Sequence, residues 1–165
     1  MFSEKLAKAL ALLENVTPLS TDCGCLCGAA CCRDNGEAGS GVWLLEGESG
    51  ENMNWGHVAE EKMPVTGRAV RTLYCDGMCD RHLRPFMCRI FPLSPYFSRK
   101  KQAWDVRMDR RAAAVCPLFG YGKIGLSPEF TSACAEAVRI LAEDPQGEEL
   151  LEALQSEEAA YRMEL

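Results

Sequence analysis

Five cysteines stand within ten residues of this chain, in the run Cys23-Gly24-Cys25-Leu26-Cys27-Gly28-Ala29-Ala30-Cys31-Cys32. Their spacing follows neither a helix face nor a strand face, so these thiols cannot all be small core residues. The stretch from Thr21 to Gly41 is rich in Cys and Gly and has no hydrophobic period. With no core contact to order it, a bound ion is its natural organiser. Gly24 and Gly28 let the backbone fold tightly around such an ion. Cys27 and Cys31 are four apart, so one helical turn would set both on the same side. Cys31 and Cys32 are adjacent and point in different directions, which leaves one of them for a second ion or for the core.

A second group follows the pattern Cys75-x3-Cys79-x8-Cys88, and Cys116-Pro117 comes later; Cys134 completes the ten cysteines of the 165 residues. An even number suits a disulfide framework in a small secreted chain. The N-terminal stretch points elsewhere. Glu4, Lys5, Lys8 and Glu14 leave only Ala9 to Leu13 uncharged, short of the ~7–15 apolar residues of a signal peptide. No segment approaches the ~20 apolar residues of a membrane span. The expectation is a cytoplasmic protein whose thiols stay reduced and hold metal. A net charge of −6 gives no strong nucleic-acid signal and no attraction to an anionic membrane.

Zinc and iron–sulfur centres both take four thiolates in a roughly tetrahedral array. The spacings match neither the paired short spacers of a zinc ribbon nor the three close cysteines of a bacterial ferredoxin. Metal binding is thus the sharper signal, with zinc first and iron or an iron–sulfur cluster as the alternative. Four thiolates on a zinc ion leave a net charge of about −2. Arg33, Arg81, Arg84 and Arg89 lie within a few residues of candidate ligands and could offset it. Neither group makes a convincing site alone, so the two are expected to meet around a shared centre.

The rest of the sequence predicts a small, irregular α+β domain with terminal helices and a central β-hairpin, the whole chain forming one unit. Residues 3–15 read as a helix capped by Ser3, with Leu6, Leu10 and Leu13 at helical spacing. Residues 41–46 read as a short strand, Gly47 to Gly56 as a polar turn, and Val65 to Tyr74 as a helix running into Cys75. Arg89 to Ser98 and Ala103 to Met108 read as the two strands of the hairpin, with Pro92 and Pro95 marking the first as an edge. Ser127-Pro128-Glu129 starts a helix that stops near Pro145, and another runs from about Gly147 to Met163. The cysteine-rich core then covers about 21–118 and the C-terminal helical pair about 127–163. The acidic C-terminal stretch reads as a solvated helix face.

Taken together, Cys27-x3-Cys31-Cys32-Arg33, Cys79, the stretch Arg84-Pro85-Phe86-Met87-Cys88-Arg89-Ile90-Phe91-Pro92 and Cys116-Pro117 resemble the YkgJ-like cysteine-cluster family. The resemblance runs from about Cys27 to Pro117 and is most specific in RPFMCRIFP. It implies a domain that chelates zinc or iron, and brings no reaction with it. The ligands it implies are Cys27, Cys31, Cys32, Cys79, Cys88 and Cys116, with Cys75 beside them. The chain departs from the pattern in Asp80-Arg81-His82-Leu83, where an aromatic is expected after Cys79, and in the additional Cys23 and Cys25.

Beside these candidates, Cys134 sits among Ala133, Ala135 and Ala137 and reads as a buried helix residue. Cys23 and Cys25 read as ligands, as a redox pair or as spare thiols. His82 could replace a thiolate, whereas His57, Trp43, Trp55 and Trp104 read as structural or surface residues. No nucleotide-binding glycine loop, serine-nucleophile motif or metalloprotease motif occurs. The functional expectation is a zinc-binding protein in which the metal serves structure. An iron–sulfur protein with a redox or radical role is the alternative, and a metal-sensing or storage module is the third class.

Overall fold

The computed structural model describes residues 1–32, 41–49, 56–75 and 79–161. Arg33, Trp55, most of the expected polar turn and the end of the last expected helix lie outside them. In chain order the elements are α1 (Phe2–Leu12), α2 (Gly24–Cys27), β1 (Val42–Leu44), β2 (Gly56–Lys62), β3 (Ala69–Cys75), α3 (Phe86–Ile90), β4 (Leu93–Ser98), β5 (Ala103–Met108), α4 (Pro128–Ala142) and α5 (Pro145–Ala160). Short 3-10 turns join several of them. The architecture is α+β, as the sequence predicts.

Phe2, Leu6, Ala9 and Leu13 form one buried stripe along α1, which packs on α4. That stripe starts the helix earlier than the expected cap at Ser3, because Phe2 must be helical to bring its ring to the core. Met1 occupies the N-cap position. Strands β1, β3 and β2 pair antiparallel in that order, with Leu73 of β3 opposite Val42 on one side and Val58 on the other.

The helix expected over Val65 to Tyr74 is instead a turn followed by β3. Gly67 is left-handed at φ 68°, and the chain reverses there through Met63 N–H to Arg68 O (2.9 Å) and Gly67 N–H to Met63 O (3.0 Å). Val70, Thr72 and Tyr74 then suit a pleated strand better than a helix. The same turn creates β2, which sequence reading left out.

The hairpin β4–β5 forms as expected, from Leu93 opposite Met108 to Ser98 opposite Ala103. Its first strand is shorter than predicted. Residues 86–90 coil into α3 because Phe86 and Ile90, four apart, both reach full burial on one face. Helix α4 covers β5 and α5 covers β4. One continuous cluster of buried side chains runs from Phe2 to Leu154. Cys134 on α4 is fully buried within it, as its alanine neighbours suggested.

The acidic end of the chain is not simply a solvated face. Glu158 has no exposed surface and pairs with Arg107 and Arg110. Glu157 accepts hydrogen bonds from the amides of Val65 (3.0 Å) and Thr66 (2.8 Å), so α5 clamps the β2–β3 turn. Among the described residues no helix is long and apolar enough to cross a membrane.

Candidate metal centre

The first cysteine segment is held at its base and little elsewhere. Ser127 N–H donates to Pro18 O (2.7 Å) and the Arg81 guanidinium donates to Val16 O (2.6 Å). From residue 19 to residue 32 no residue is buried, and Leu26 is 72% exposed. Fourteen consecutive residues therefore hold their place without a core side chain among them.

Their local form follows from short-range contacts. Asp22 Oδ1 accepts from Gly24 N–H at 3.0 Å, opening α2. Gly28 at φ 61° and Ala29 at φ 54° are both left-handed and end that helix at once. This corrects the expectation that one helical turn carries Cys27 and Cys31 together. Cys27 ends α2, whereas Cys31 lies in a separate 3-10 turn, Ala30–Cys32.

The second segment is placed by the core. Cys75 ends β3, and Cys88 rides on α3 between the buried Met87 and the partly buried Arg89. Glu48, which the sequence gave no reason to single out, accepts from Phe86 N–H (2.6 Å) and Leu45 N–H (2.8 Å). It thereby pins the start of α3 to the end of β1, and it is also a charged neighbour of Cys88. Cys116 precedes the 3-10 turn Pro117–Tyr121, whose Leu118 and Phe119 amides favour its thiolate.

The two segments meet. Cys32 and Cys79, separated by 47 positions in the chain, lie close enough for each to shift the acidity of the other. Cys31 Sγ and Cys32 Sγ lie 3.9 Å apart. Cys88 has Cys75, Cys32 and Cys79 as charged neighbours, and Cys116 has Cys27. Each of the seven expected ligands thus has at least one other of them as a charged neighbour. Cys23 joins them, with Cys27 and Cys116 as neighbours, whereas Cys25 is exposed. Among the described residues, no three Cys, His, Asp or Glu side chains stand in an arrangement that could hold a metal ion as placed. The thiols are pairs and neighbours rather than a closed shell.

Mutual proximity and burial set their acidities. Burial, then Cys75, pushes Cys88 well above the ordinary thiol value. The neighbouring Cys32 side chain, then burial, pushes Cys79 up, while Arg84 opposes. Burial also raises Cys23 and Cys116. Within the adjacent pair, the shared hydrogen bond lowers Cys31 and raises Cys32.

Of the arginines expected beside the cluster, Arg84 fills that role: its Nε–H donates to Cys79 Sγ at 3.1 Å. Arg81 and Arg89 turn to backbone carbonyls instead. Arg89 bonds Arg84 O and His82 O, both at 2.8 Å, and pairs with Glu14. His82 also pairs with Glu14, so its ring is engaged away from the sulfurs. His57 stacks on Tyr74, and Trp43 lies under Arg111. No family model, curated protein or solved structure matches this chain.

Proposed function

We propose that this protein binds metal through cysteine thiolates drawn from both segments, that the metal is zinc, and that it serves chiefly to hold residues 19–32 against the folded body. The closeness of Cys32 to Cys79 carries this reading, because it joins a segment with no buried residue to one fixed by the core. Donor chemistry agrees. An all-sulfur set is soft and takes zinc or iron in preference to magnesium or calcium. Crowded thiols raise one another and resist ionising side by side, and a divalent cation among them relieves that repulsion. Arg84 offsets part of the remaining negative charge from Cys79.

The ligands would be drawn from Cys27, Cys31, Cys32, Cys75, Cys79, Cys88 and Cys116, with Cys23 added by its position. When bound, zinc supplies rigid tetrahedral cross-linking and no redox chemistry. Likeness of RPFMCRIFP to the YkgJ-like family supports the same reading. Elemental analysis of protein purified without oxygen tests it. Zinc in a colourless protein is the expected result. Brown protein holding iron and sulfide would replace it with the iron–sulfur alternative, and protein without metal would end it.

A further inference from the structure

We propose that Cys31 and Cys32 form a redox modification site, at which a small-molecule disulfide of the glutathione class converts the adjacent thiols into a reversible Cys31–Cys32 bridge. The inference goes beyond metal binding and does not require it. Sequence order alone suggests that neighbouring side chains diverge. The structure turns these two together instead, with Cys31 Sγ and Cys32 Sγ 3.9 Å apart. A disulfide bond is about 2.05 Å long, so a local adjustment of the turn and the two side chains brings the sulfurs to bonding distance.

The surroundings allow that adjustment. The pair ends the 3-10 turn Ala30–Cys32, which is closed by Cys32 N–H to Ala29 O at 2.8 Å. No residue from 19 to 32 is buried, so the turn can shift without moving a core side chain. Cys31 is exposed and open to a dissolved reagent, whereas Cys32 is partly covered. Neighbouring Cα atoms across a trans peptide are about 3.8 Å apart, below the usual ~4.4–6.8 Å of disulfides. A bridge between adjacent residues is therefore strained, and strained bridges are the ones readily reduced again. That suits a reversible modification rather than a structural staple.

The chemistry balances as two exchanges. The Cys31 thiolate attacks one sulfur of oxidised glutathione. A Cys31–glutathione bond forms, the glutathione disulfide breaks, and one glutathione thiolate leaves. Cys32 Sγ, already beside Cys31 Sγ, then attacks it and expels the second glutathione. The two protein thiols give up two electrons and two protons, which leave in two molecules of reduced glutathione. Cys79 also lies near Cys32, but it is partly covered, so Cys31 meets the oxidant first. The bridge withdraws both sulfurs from any ion they hold, so bridge and ion compete for the pair.

The test is to purify the full chain without oxygen, add oxidised glutathione in small steps, and map the first oxidised species by mass spectrometry. That species should have lost two hydrogens, carry no glutathione, and show its bridge between Cys31 and Cys32 on fragmentation. Dithiothreitol should restore the thiols. Cys32→Ser should trap glutathione on Cys31 as a stable mixed disulfide, and Cys31→Ser should abolish the fast reaction. Cys25→Ser, which removes another exposed thiol, should change nothing. The mapping of the unsubstituted chain decides by itself if a variant does not fold. A first bridge from Cys32 to Cys79, or between any other two cysteines, overturns the proposal, as does glutathione left on Cys31 in the unsubstituted chain. Elemental analysis of the same samples keeps the two readings apart. Bridge formation in protein without metal ends the proposed function and supports this site, whereas metal-loaded protein that forms no bridge does the reverse.

Discussion

Arg84 donates its Nε–H to Cys79 Sγ at 3.1 Å, and its NH2 group faces Asp22 Oδ2 at 4.0 Å, so one guanidinium ties the second cysteine segment to the first. A planar, permanently charged group suits that position, because it can donate in two directions at once. Substitution should therefore act on the ion rather than on the core. Arg84→Gln should weaken metal affinity by about 10–100-fold, the usual effect of removing a group that supports a ligand. Arg84→Lys, which keeps the charge and loses the fork, should fall between. Competition against a coloured chelator measures both, and wild-type affinity in both variants would make Arg84 a bystander.

Cys88 is firmly placed, because the fully buried Phe86 and Ile90 fix the helix that carries it. Cys88→Ser should lower bound metal and melting temperature together. A loss of ~3 kcal/mol, less than structural zinc contributes in small peptides, would lower the melting temperature of a chain this size by roughly 6–12 °C. Full metal content with an unchanged melting temperature would show that Cys88 is not a ligand.

Metal uptake should release protons. Cys32, Cys79, Cys88 and Cys116 are all raised above the ordinary thiol value of 9.0. Below that value the free thiols keep their protons, and the ion must displace them. Affinity should therefore rise with pH and fall in acid. Calorimetry in buffers of different ionisation heats counts the protons, and a binding heat independent of buffer would contradict the thiolate reading.

Glu158 tests the fold without touching the sulfurs. It is fully buried against Arg107 and Arg110, which are themselves partly exposed. Glu158→Ala should cost about 2–4 kcal/mol in chemical denaturation, below the top of the range for broken buried pairs because water reaches the arginines. Bound metal should stay at the wild-type level. Loss of metal at unchanged stability would mean that α5 supports the centre in a way its contacts do not indicate.

Acid should loosen the junction of α1 with the segment after Cys79. Hydrogen bonds from His82 and then Arg89 hold the Glu14 carboxyl down at about 2, against an ordinary 4.5. A lowered carboxyl stabilises the fold above its ordinary value, and that contribution is lost as pH falls through the folded value. Wild-type stability should therefore drop between pH 4.5 and about 2 by more than that of Glu14→Gln. Parallel acid profiles in thermal melts would remove Glu14 from this role.

Much of the architecture was legible in the residues. The N-terminal helix with Leu6 and Leu13 facing inward, the hairpin strand Ala103–Met108 and the Ser127-Pro128 helix start are local patterns, with partners close in sequence, whereas Phe2 and Ala9 joined that inward stripe only in the structure. The terms that decided the rest are long-range. Val65 to Tyr74 carries enough apolar residues for a helix, yet it is a strand because Val42 and Val58 flank Leu73 and Glu157 clamps the turn before it. Glu158 looks like any solvated helix acid until Arg107 arrives from a strand 51 positions away.

The cysteine face divides in the same way. Composition and spacing marked the crowded, aperiodic thiols of Cys23 to Cys32, together with Cys75, Cys79, Cys88 and Cys116, as candidate ligands, and the resemblance to the YkgJ-like family is what set Cys27, Cys31, Cys32, Cys79, Cys88 and Cys116 apart, with Cys75 beside them. Their arrangement depends on the tertiary structure. Cys32 meets Cys79 only because Glu48 and the buried face of α3 set the second segment, while Arg81 and Ser127 anchor the base of the first. The same geometry brings in Cys23, leaves Cys25 exposed, and selects Arg84 over Arg81 and Arg89 as the partner of sulfur. Residue chemistry is local and can be read along the chain, whereas which sulfur faces which depends on loop closures that no local pattern encodes.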